Sequence, residues 1–467
     1  MSAILRKRNP VASCFGSLAV CCCLLAGTYP AQAAMPRPNI ILMMADDLGW
    51  GDTGYNGHPV LKTPHLDQMA KEGLRFDRFY AAAPVCSPTR GSCLTGRHPY
   101  RYGILSANVG HLLPEELCLA EVLKAHGYIT GHFGKWHLGT LTKTIKDSNR
   151  GGPKGARHFS PPWLNGFDVC FSTEAKVPTW NPMIDPKSGK PYGTYYWQQD
   201  GQRVRDNLDG DDSRVIMDRV IPFVQSAIRK EKPFFAVIWF HTPHKPCVAG
   251  PDYRKLYAAH SEEEQHYFGC ITAMDEQIGR LRKTLSDAGA AGNTMIWFAS
   301  DNGPENKAKP GSAGPFRGRK RDLYEGGIRV PGILIWPDKL KPRVVRIPCC
   351  SSDYFPTILD LLDIRLQKHP EPIDGISLKP LLFGSMDRRP SPIAFEFAGK
   401  LALNDNRYKL IRPGRAADFE LYDIVADPGE KKNLAADKPN VLEAMKQQLL
   451  DWRKSCQRSA AGKDYSP

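Results

Sequence analysis

Beyond an apolar stretch near its N-terminus, the chain has no hydrophobic run long enough to span a bilayer, no internal repeat and no long low-complexity segment. These absences exclude a polytopic membrane protein and a repeat array. An excess of acid is also missing: 63 Lys and Arg stand against 49 Asp and Glu, a formal net charge of +14. A basic surface favours encounter with polyanions. No nucleic-acid recognition motif accompanies that charge, so nucleic acid is set aside as a partner.

What is present is a chain of 467 residues, 42% hydrophobic, able to bury a large core. Arg6-Lys7-Arg8, the apolar residues 11–27 and Ala31-Gln32-Ala33 have the basic, hydrophobic and small-residue order of a secretory signal peptide over residues 1–34. The expectation is export, periplasmic or secreted, with cleavage near Ala33 or Ala34. Leu18-Ala19-Val20-Cys21 is only an approximate lipobox. Losing the leader's three positive charges leaves about +11 on the mature chain. Of 13 cysteines, four lie in the leader; leaving Cys86 aside, eight remain, adjacent Cys349 and Cys350 among them. Export makes disulfides plausible, but the spacing selects no pairing.

Cys86-Ser87-Pro88-Thr89-Arg90 is the most informative stretch. Taken alone, Cys86 reads as a small buried hydrophobe, half a disulfide, or a thiolate beside Arg90. Its company decides. Asn39-Ile40-Ile41-Leu42-Met43-Met44 has the character of a buried parallel strand and stops at Asp46-Asp47, where adjacent carboxylates could not both stay in a sheet. The same pattern recurs at Thr294-Met295-Ile296-Trp297-Phe298-Ala299 before Ser300-Asp301-Asn302-Gly303, and at residues 234–240 before His241-Thr242-Pro243-His244. Ligands of open α/β sheets bind beyond the carboxyl ends of strands, so Asp46, Asp47, Asp301, Asn302 and His244 are expected on one rim. Three carboxylates and an amide carbonyl suit Ca²⁺ or Mg²⁺ and not a soft metal. Lone His58, His65 and His260 read as surface or hydrogen-bonded residues. Residues 127–137 read as a short strand and a loop presenting Lys135 and His137 to one side, for an anion and a proton.

These residues resemble the formylglycine-dependent type I sulfatases, arylsulfatase A-like, of the alkaline phosphatase superfamily. The resemblance also takes in Thr95-Gly96-Arg97, Pro243-His244-Lys245-Pro246, Lys320 ahead of Tyr324-Glu325-Gly326-Gly327, and Leu421-Tyr422-Asp423. It implies a large, mostly parallel α/β sheet flanked by helices, with a small C-terminal antiparallel sheet plus helix. It further implies that a maturation enzyme oxidises Cys86 to formylglycine, whose hydrate attacks sulfur with one hydroxyl and expels sulfate with the other. By the same resemblance Asp46, Asp47, Asp301, Asn302 and the modified Cys86 would hold Ca²⁺, ahead of Mg²⁺. Lys135 and Lys320 would neutralise sulfate oxygens, Arg90 would hold the hydrate, and Asp301 would take the attacking proton. His137 would accept the second proton and His244, preferred to His241, would protonate the leaving oxygen. Ser87, Pro88 and Thr89 would shape the nucleophile loop.

Strand-like and helical runs alternate to about residue 380, giving an expected catalytic domain at 35–380. Residues 214–229 and 263–285 carry apolar stripes at helical spacing. Residues 141–212, rich in Gly, Pro and aromatics, are expected as a lobe over the active site. The C-terminal subdomain, 381–467, is expected to hold three short strands, at 393–397, 408–411 and 419–422, and a helix at 439–454. The expected activity is hydrolysis of sulfate monoesters of a sulfated small molecule or saccharide, a sulfated polysaccharide or its fragments being the partner that would account for charge, export and active site together. The alternatives are a phosphatase, phosphodiesterase or phosphonate hydrolase of the same superfamily, or a polysaccharide-binding protein in which Cys86 stays a thiol.

Overall fold

Side chains alternating to opposite faces make Asn39–Ala45 the axis of the molecule. Ile40, Leu42 and Met44 enter one buried cluster, and Ile41, Met43 and Ala45 the other. The computed structural model describes residues 37–465; the expected signal peptide, 1–34, lies outside them. A strand buried on both faces needs cover on both, and this one sits in the middle of a nine-stranded sheet. Its spatial order is Arg343–Val345, Leu74–Phe76, Gly332–Ile335, Thr294–Ser300, Asn39–Ala45, Phe234–Trp239, Ile129–Lys135, Val169–Thr173 and Tyr196–Gln198. The run from Thr294–Ser300 to Val169–Thr173 is wholly parallel. Antiparallel pairs involve only Gly332–Ile335 and Tyr196–Gln198, so the expected mostly parallel sheet is observed.

Helices Asp212–Arg229 and Glu262–Asp287 bury the stripes expected of them against one face. Each begins where its cap dictates: the Asp211 carboxylate accepts from the Arg214 N–H at 2.9 Å, and Ser261 with Glu264 forms a capping box. Cys86–Thr95, Leu119–Ala125 and Tyr354–Leu361 cover the other face. Residues 141–212 differ from the expected lobe in supplying Val169–Thr173 and Tyr196–Gln198 to the main sheet. These strands are short and lie among turns and aromatics, which hides their alternation.

The small C-terminal sheet has four antiparallel strands where three were expected: Ile393–Phe397, Lys400–Asn404, Tyr408–Arg412 and Glu420–Asp423. Lys400-Leu401-Ala402-Leu403-Asn404 has no β-branched residue, so propensity does not announce it. Pairing does: Phe397 faces Lys400 across a two-residue turn with Ala398 at φ 50° and Gly399 at φ 86°, the left-handed pair that matches strand twist. The last helix runs Pro439–Ala460, past the expected residue 454, because Arg101 donates to Ser455 and Ser459 at 2.9 and 3.0 Å and anchors its final turns. No helix among the described residues is long and apolar enough to cross a membrane.

Candidate active site

All five parallel strands end on the same edge. Ala45 pairs with Ser300 and Lys135 with Thr173, so Asp46, Asp301 and Lys135 leave the sheet at one level. Asp47 turns the chain with φ 70°, a conformation aspartate tolerates. Two glycines allow the backbone to crowd here. A Cβ on Gly134 would lie 1.9 Å from the Trp239 carbonyl oxygen, and one on Gly303 would lie 1.9 Å from that of Gly326.

Cys86 opens the helix Cys86–Thr95, all of it buried. The stretch expected as a loop is thus a first helical turn. Pro88 is compatible with that turn because the N–H it lacks would have no helical partner. Thr89 Oγ donates to the Ala83 carbonyl at 2.9 Å and fixes the entry of the chain. Ligating atoms of Asp46, Cys86 and Asp301 lie within 4.8 Å of one another, as do those of Asp46, Asp47 and His244.

The cations interleave with these acids. Lys135 Nζ is 2.6 Å from Asp46 Oδ2, and Lys320 Nζ contacts Asp47 Oδ1. Arg90 donates to Asp301 Oδ2 at 2.8 Å and to the Lys135 carbonyl at 3.1 Å, with its guanidinium 5.1 Å from the Trp239 ring centre. Asn302 Nδ2 donates to Asp47 Oδ1 at 2.7 Å. Three buried acceptors remain without a donor: Asp46 Oδ1, Asp47 Oδ2 and Asn302 Oδ1. A buried acceptor left unpaired costs about 1–3 kcal/mol. Three buried hard oxygens without donors, on residues of the expected metal set, fit a cation such as Ca²⁺ or Mg²⁺.

Protonation follows the same geometry. Burial pushes the Asp301 carboxyl up to about 7, reinforced by Asp46. Burial also acts to raise Asp46, but Lys135, His244 and Arg90 outweigh it and hold this carboxyl well below the usual range. The Cys86 thiol is pushed up by burial against the opposing pull of Lys135 and Lys320, which removes the reactive-thiolate reading. His244 is lowered by burial to about 4 and His137 is lowered well below its ordinary value, so both rings are neutral at pH 7.

His244 Nδ1 lies 2.7 Å from the Lys245 carbonyl and its Nε2 lies 3.6 Å from Asp47 Oδ2. His241 is instead fully engaged, Nδ1 with Asp212 at 2.7 Å and Nε2 with Thr173 at 2.8 Å, and holds structure. Cys86, Lys135, His137, His244 and Lys320 line a cavity of about 550 Å³ together with Lys176, Lys245, Lys307 and Arg321. Asp46, Asp47, Arg90, Asp301 and Asn302 lie beneath it, buried. Sequence reasoning missed Asn108, whose Oδ1 is 3.0 Å from His137 Nε2, and Glu305, 3.7 Å from Lys320 Nζ. Neither belongs to a motif. Of the arginines around Lys320, Arg319 donates to the carbonyls of Glu305, Ala308 and Gly311 and shapes the loop, while Arg321 reaches the cavity.

Comparison with known proteins agrees with this geometry. The family model described as Sulfatase matches residues 38–364, and one described as N-sulphoglucosamine sulphohydrolase, C-terminal, matches 314–455. The chain is 32% identical to arylsulfatase A of Homo sapiens, covering 91% of this chain and 90% of that protein. It is 31% identical to N-acetylgalactosamine-6-sulfatase of Canis lupus familiaris, covering 82% and 73%. The solved structure of Ps i-CgsB with k-i-k-neocarrahexaose superposes with a TM-score of 0.77 at 26% identity, covering 89% of this chain and 92% of that one. Phosphonate monoester hydrolase of Agrobacterium radiobacter, at 20% identity and TM-score 0.65 over 90% and 96% of the two chains, shares the fold. The chain belongs to the sulfatase family and is a sulfuric ester hydrolase.

Proposed function

We propose that this sulfatase is exported and removes sulfate from sulfated carbohydrate as an exo-acting O-sulfatase, with formylglycine made from Cys86 and a bound Ca²⁺, in preference to Mg²⁺. The observation that carries the reading is a buried, protonated cysteine at the floor of a lysine-lined cavity, within 4.8 Å of two carboxylates. Carbohydrate is supported by relatives: one is named for N-acetylgalactosamine-6-sulfate chemistry, and one solved neighbour holds a neocarrahexaose. Residues 35–380 form the catalytic domain in this reading. Substrate choice falls to parts of 141–212, which bring Asn149 and Lys176 to the cavity, and to the subdomain 381–467.

Asp46, Asp47, Asp301, Asn302 and the modified residue 86 would hold the cation. When present, cation and hydrated aldehyde supply charge neutralisation and a pair of hydroxyls on one carbon. The chain's own groups do the rest. Lys135 and Lys320 receive the sulfate oxygens, where low dielectric strengthens each contact. Asp301, near 7, is poised to take a proton from the group at position 86. A carbonyl oxygen can only accept, so His137 Nε2, facing Asn108 Oδ1, carries its hydrogen and leaves the buried, unpaired Nδ1 as the proton acceptor. The Lys245 carbonyl likewise fixes hydrogen on His244 Nδ1 and leaves Nε2 to the cavity. Entry of the anionic substrate favours protonation there, and that proton passes to the leaving oxygen.

The test is peptide mass spectrometry across residues 83–90 of enzyme from a host with maturation enzymes, with sulfate release measured on sulfated oligosaccharides and aryl sulfates. The expected result is an aldehyde at position 86 and calcium-dependent release from a saccharide, abolished by chelator. Active enzyme with an unmodified thiol would overturn the mechanism, and activity confined to aryl sulfates would overturn the substrate class.

A further inference from the structure

A second cavity, of about 610 Å³, opens beside the active site between residues 100–106 and the C-terminal sheet. Ser106 lines both cavities. The hairpin Ile393–Phe397 and Lys400–Asn404 lines the second cavity with its tip. Lys400 Nζ donates to the carbonyl of Arg321 at 2.9 Å, and Arg321 lines the catalytic cavity. A chain leaving the sulfate pocket past Ser106 therefore enters this second space.

Its walls carry three guanidiniums and one carboxylate: Arg412, Arg415, Arg453 and Glu396. Arg453 Nε sits 3.1 Å from both Glu396 oxygens and is neutralised there. Arg412 acts on the same Glu396 and donates to the Gly399 carbonyl at 3.3 Å, with its Nε buried without an acceptor; no carboxylate lies at ion-pair distance from Arg412 or Arg415 among the described residues. Arg415 is exposed and lies against the hairpin turn. A Cβ on Gly399 would lie 2.4 Å from Arg415 Cγ, so the glycine is what lets this side chain cross the hairpin turn. Tyr100 Oη accepts from the Ala398 N–H at 3.0 Å and braces the same turn. Two guanidiniums without a carboxylate at ion-pair distance, lining one concave site, form a receptor for an oxyanion. Leu105, 41% exposed, adds an apolar surface for a sugar ring at the mouth.

We propose that this cavity is a subsite for a second anionic group, sulfate ester or carboxylate, carried by the same saccharide whose sulfate ester is cleaved, with Arg412 and Arg415 as its specificity-determining residues. The inference rests on the carbohydrate reading above. It makes the enzyme selective for multiply charged chains, a selectivity that weakens as salt screens the guanidiniums.

The experiment compares the full-length enzyme with its Arg412→Ala/Arg415→Ala variant on four probes: 4-nitrophenyl sulfate, a monosulfated disaccharide, the same disaccharide with a second sulfate, and the same with a uronate. Both equilibrium binding and kcat/KM are measured. The two lost contacts are expected to weaken the doubly anionic probes about 10- to 100-fold, through KM, and to leave the other two within about twofold. The arm that suffers identifies the anion as sulfate or carboxylate. Arg412→Lys/Arg415→Lys should recover most of the loss, and unchanged 4-nitrophenyl sulfate turnover reports an intact fold. Equal effects on singly and doubly charged probes, or none on any, overturn the subsite. Selective loss of binding without hydrolysis of any saccharide would uphold the subsite while refuting the carbohydrate substrate.

Discussion

Two clusters of buried charge in this chain are built from the same parts and differ in use. At the edge of the main sheet, Lys135 faces Asp46 at 2.6 Å and Lys320 faces Asp47. Against the C-terminal sheet, Lys409, wholly buried, lies 3.1 Å from Glu325 and 2.9 Å from Glu430. In the second cluster Glu325 has donors on both oxygens, Glu430 Oε1 has only its ion-pair contact with Lys409, and Asn404 Oδ1 lacks a donor, all of them away from the lysine-lined cavity. Asn404 Nδ2 and Tyr80 Oη donate to Glu325 at 3.2 and 2.9 Å, and the Glu325 N–H donates to Glu430 at 2.7 Å. In the first, acceptor oxygens on Asp46, Asp47 and Asn302 are left over, and a cavity opens above them. Buried charge by itself therefore marks structure. Surplus acceptors with a path to solvent mark a site.

The comparison breaks most sharply at position 86. Cys86→Ala should lower sulfate-ester turnover by about 10³-fold or more, because on the proposed mechanism it removes the nucleophile's precursor, while thermal unfolding moves by only a few degrees. An active alanine variant would end the assignment. Next comes Lys320→Ala, which removes one cation from the sulfate oxygens and should cost about 10²- to 10³-fold in kcat/KM. Retained kcat/KM would show that Lys320 serves Asp47 alone.

The other cluster should answer in stability instead. Lys409→Met strands Glu430 in the interior and leaves Glu325 to Arg329, and should cost about 3–5 kcal/mol in urea unfolding, with kcat of the folded fraction near that of the parent. Adding Glu430→Gln should return part of that loss by removing one unpaired charge. A variant that keeps its stability and loses kcat would erase the distinction between the two clusters.

The acidic rim was legible because strand ends announce themselves: continuous apolar runs terminated by Asp46-Asp47 and Asp301-Asn302 can hardly mean anything but an exit from a buried sheet. The cysteine motif then drew in Arg90, Lys135 and Lys320 by resemblance. Three things stayed hidden for physical reasons. Lys400–Asn404 is a strand by pairing and not by propensity. The helical turn at Cys86 depends on an entry fixed by Thr89 and Ala83, a contact no periodicity encodes. Asn108 and the Lys409 cluster are assembled across long sequence separations from residues that look ordinary where they stand. Glu325 sits in a recognisable motif, but its partner Lys409 does not.

His98 sharpens the comparison from the opposite side, since it is a buried group with an unpaired nitrogen outside the catalytic cavity. Its Nδ1 accepts from the Tyr100 N–H at 3.3 Å, which places any hydrogen on Nε2, and the ring meets Trp452 edge-on at 4.7 Å. Burial lowers its pKa from the ordinary 6.5 to about 3 against the pull of Asp374. The folded chain thus refuses a proton that the unfolded chain accepts. Its contribution is fully present above pH 6.5 and is lost as pH falls through the window toward 3, at about 1.4 kcal/mol per pH unit. His98→Phe keeps a ring beside Trp452 and removes the titration, so its unfolding free energy should fall less steeply between pH 6 and pH 4 than the parent's by about that slope. Parallel slopes would mean that the ring is protonated in place, and that a lone orphaned nitrogen here attracts charge as the catalytic rim does.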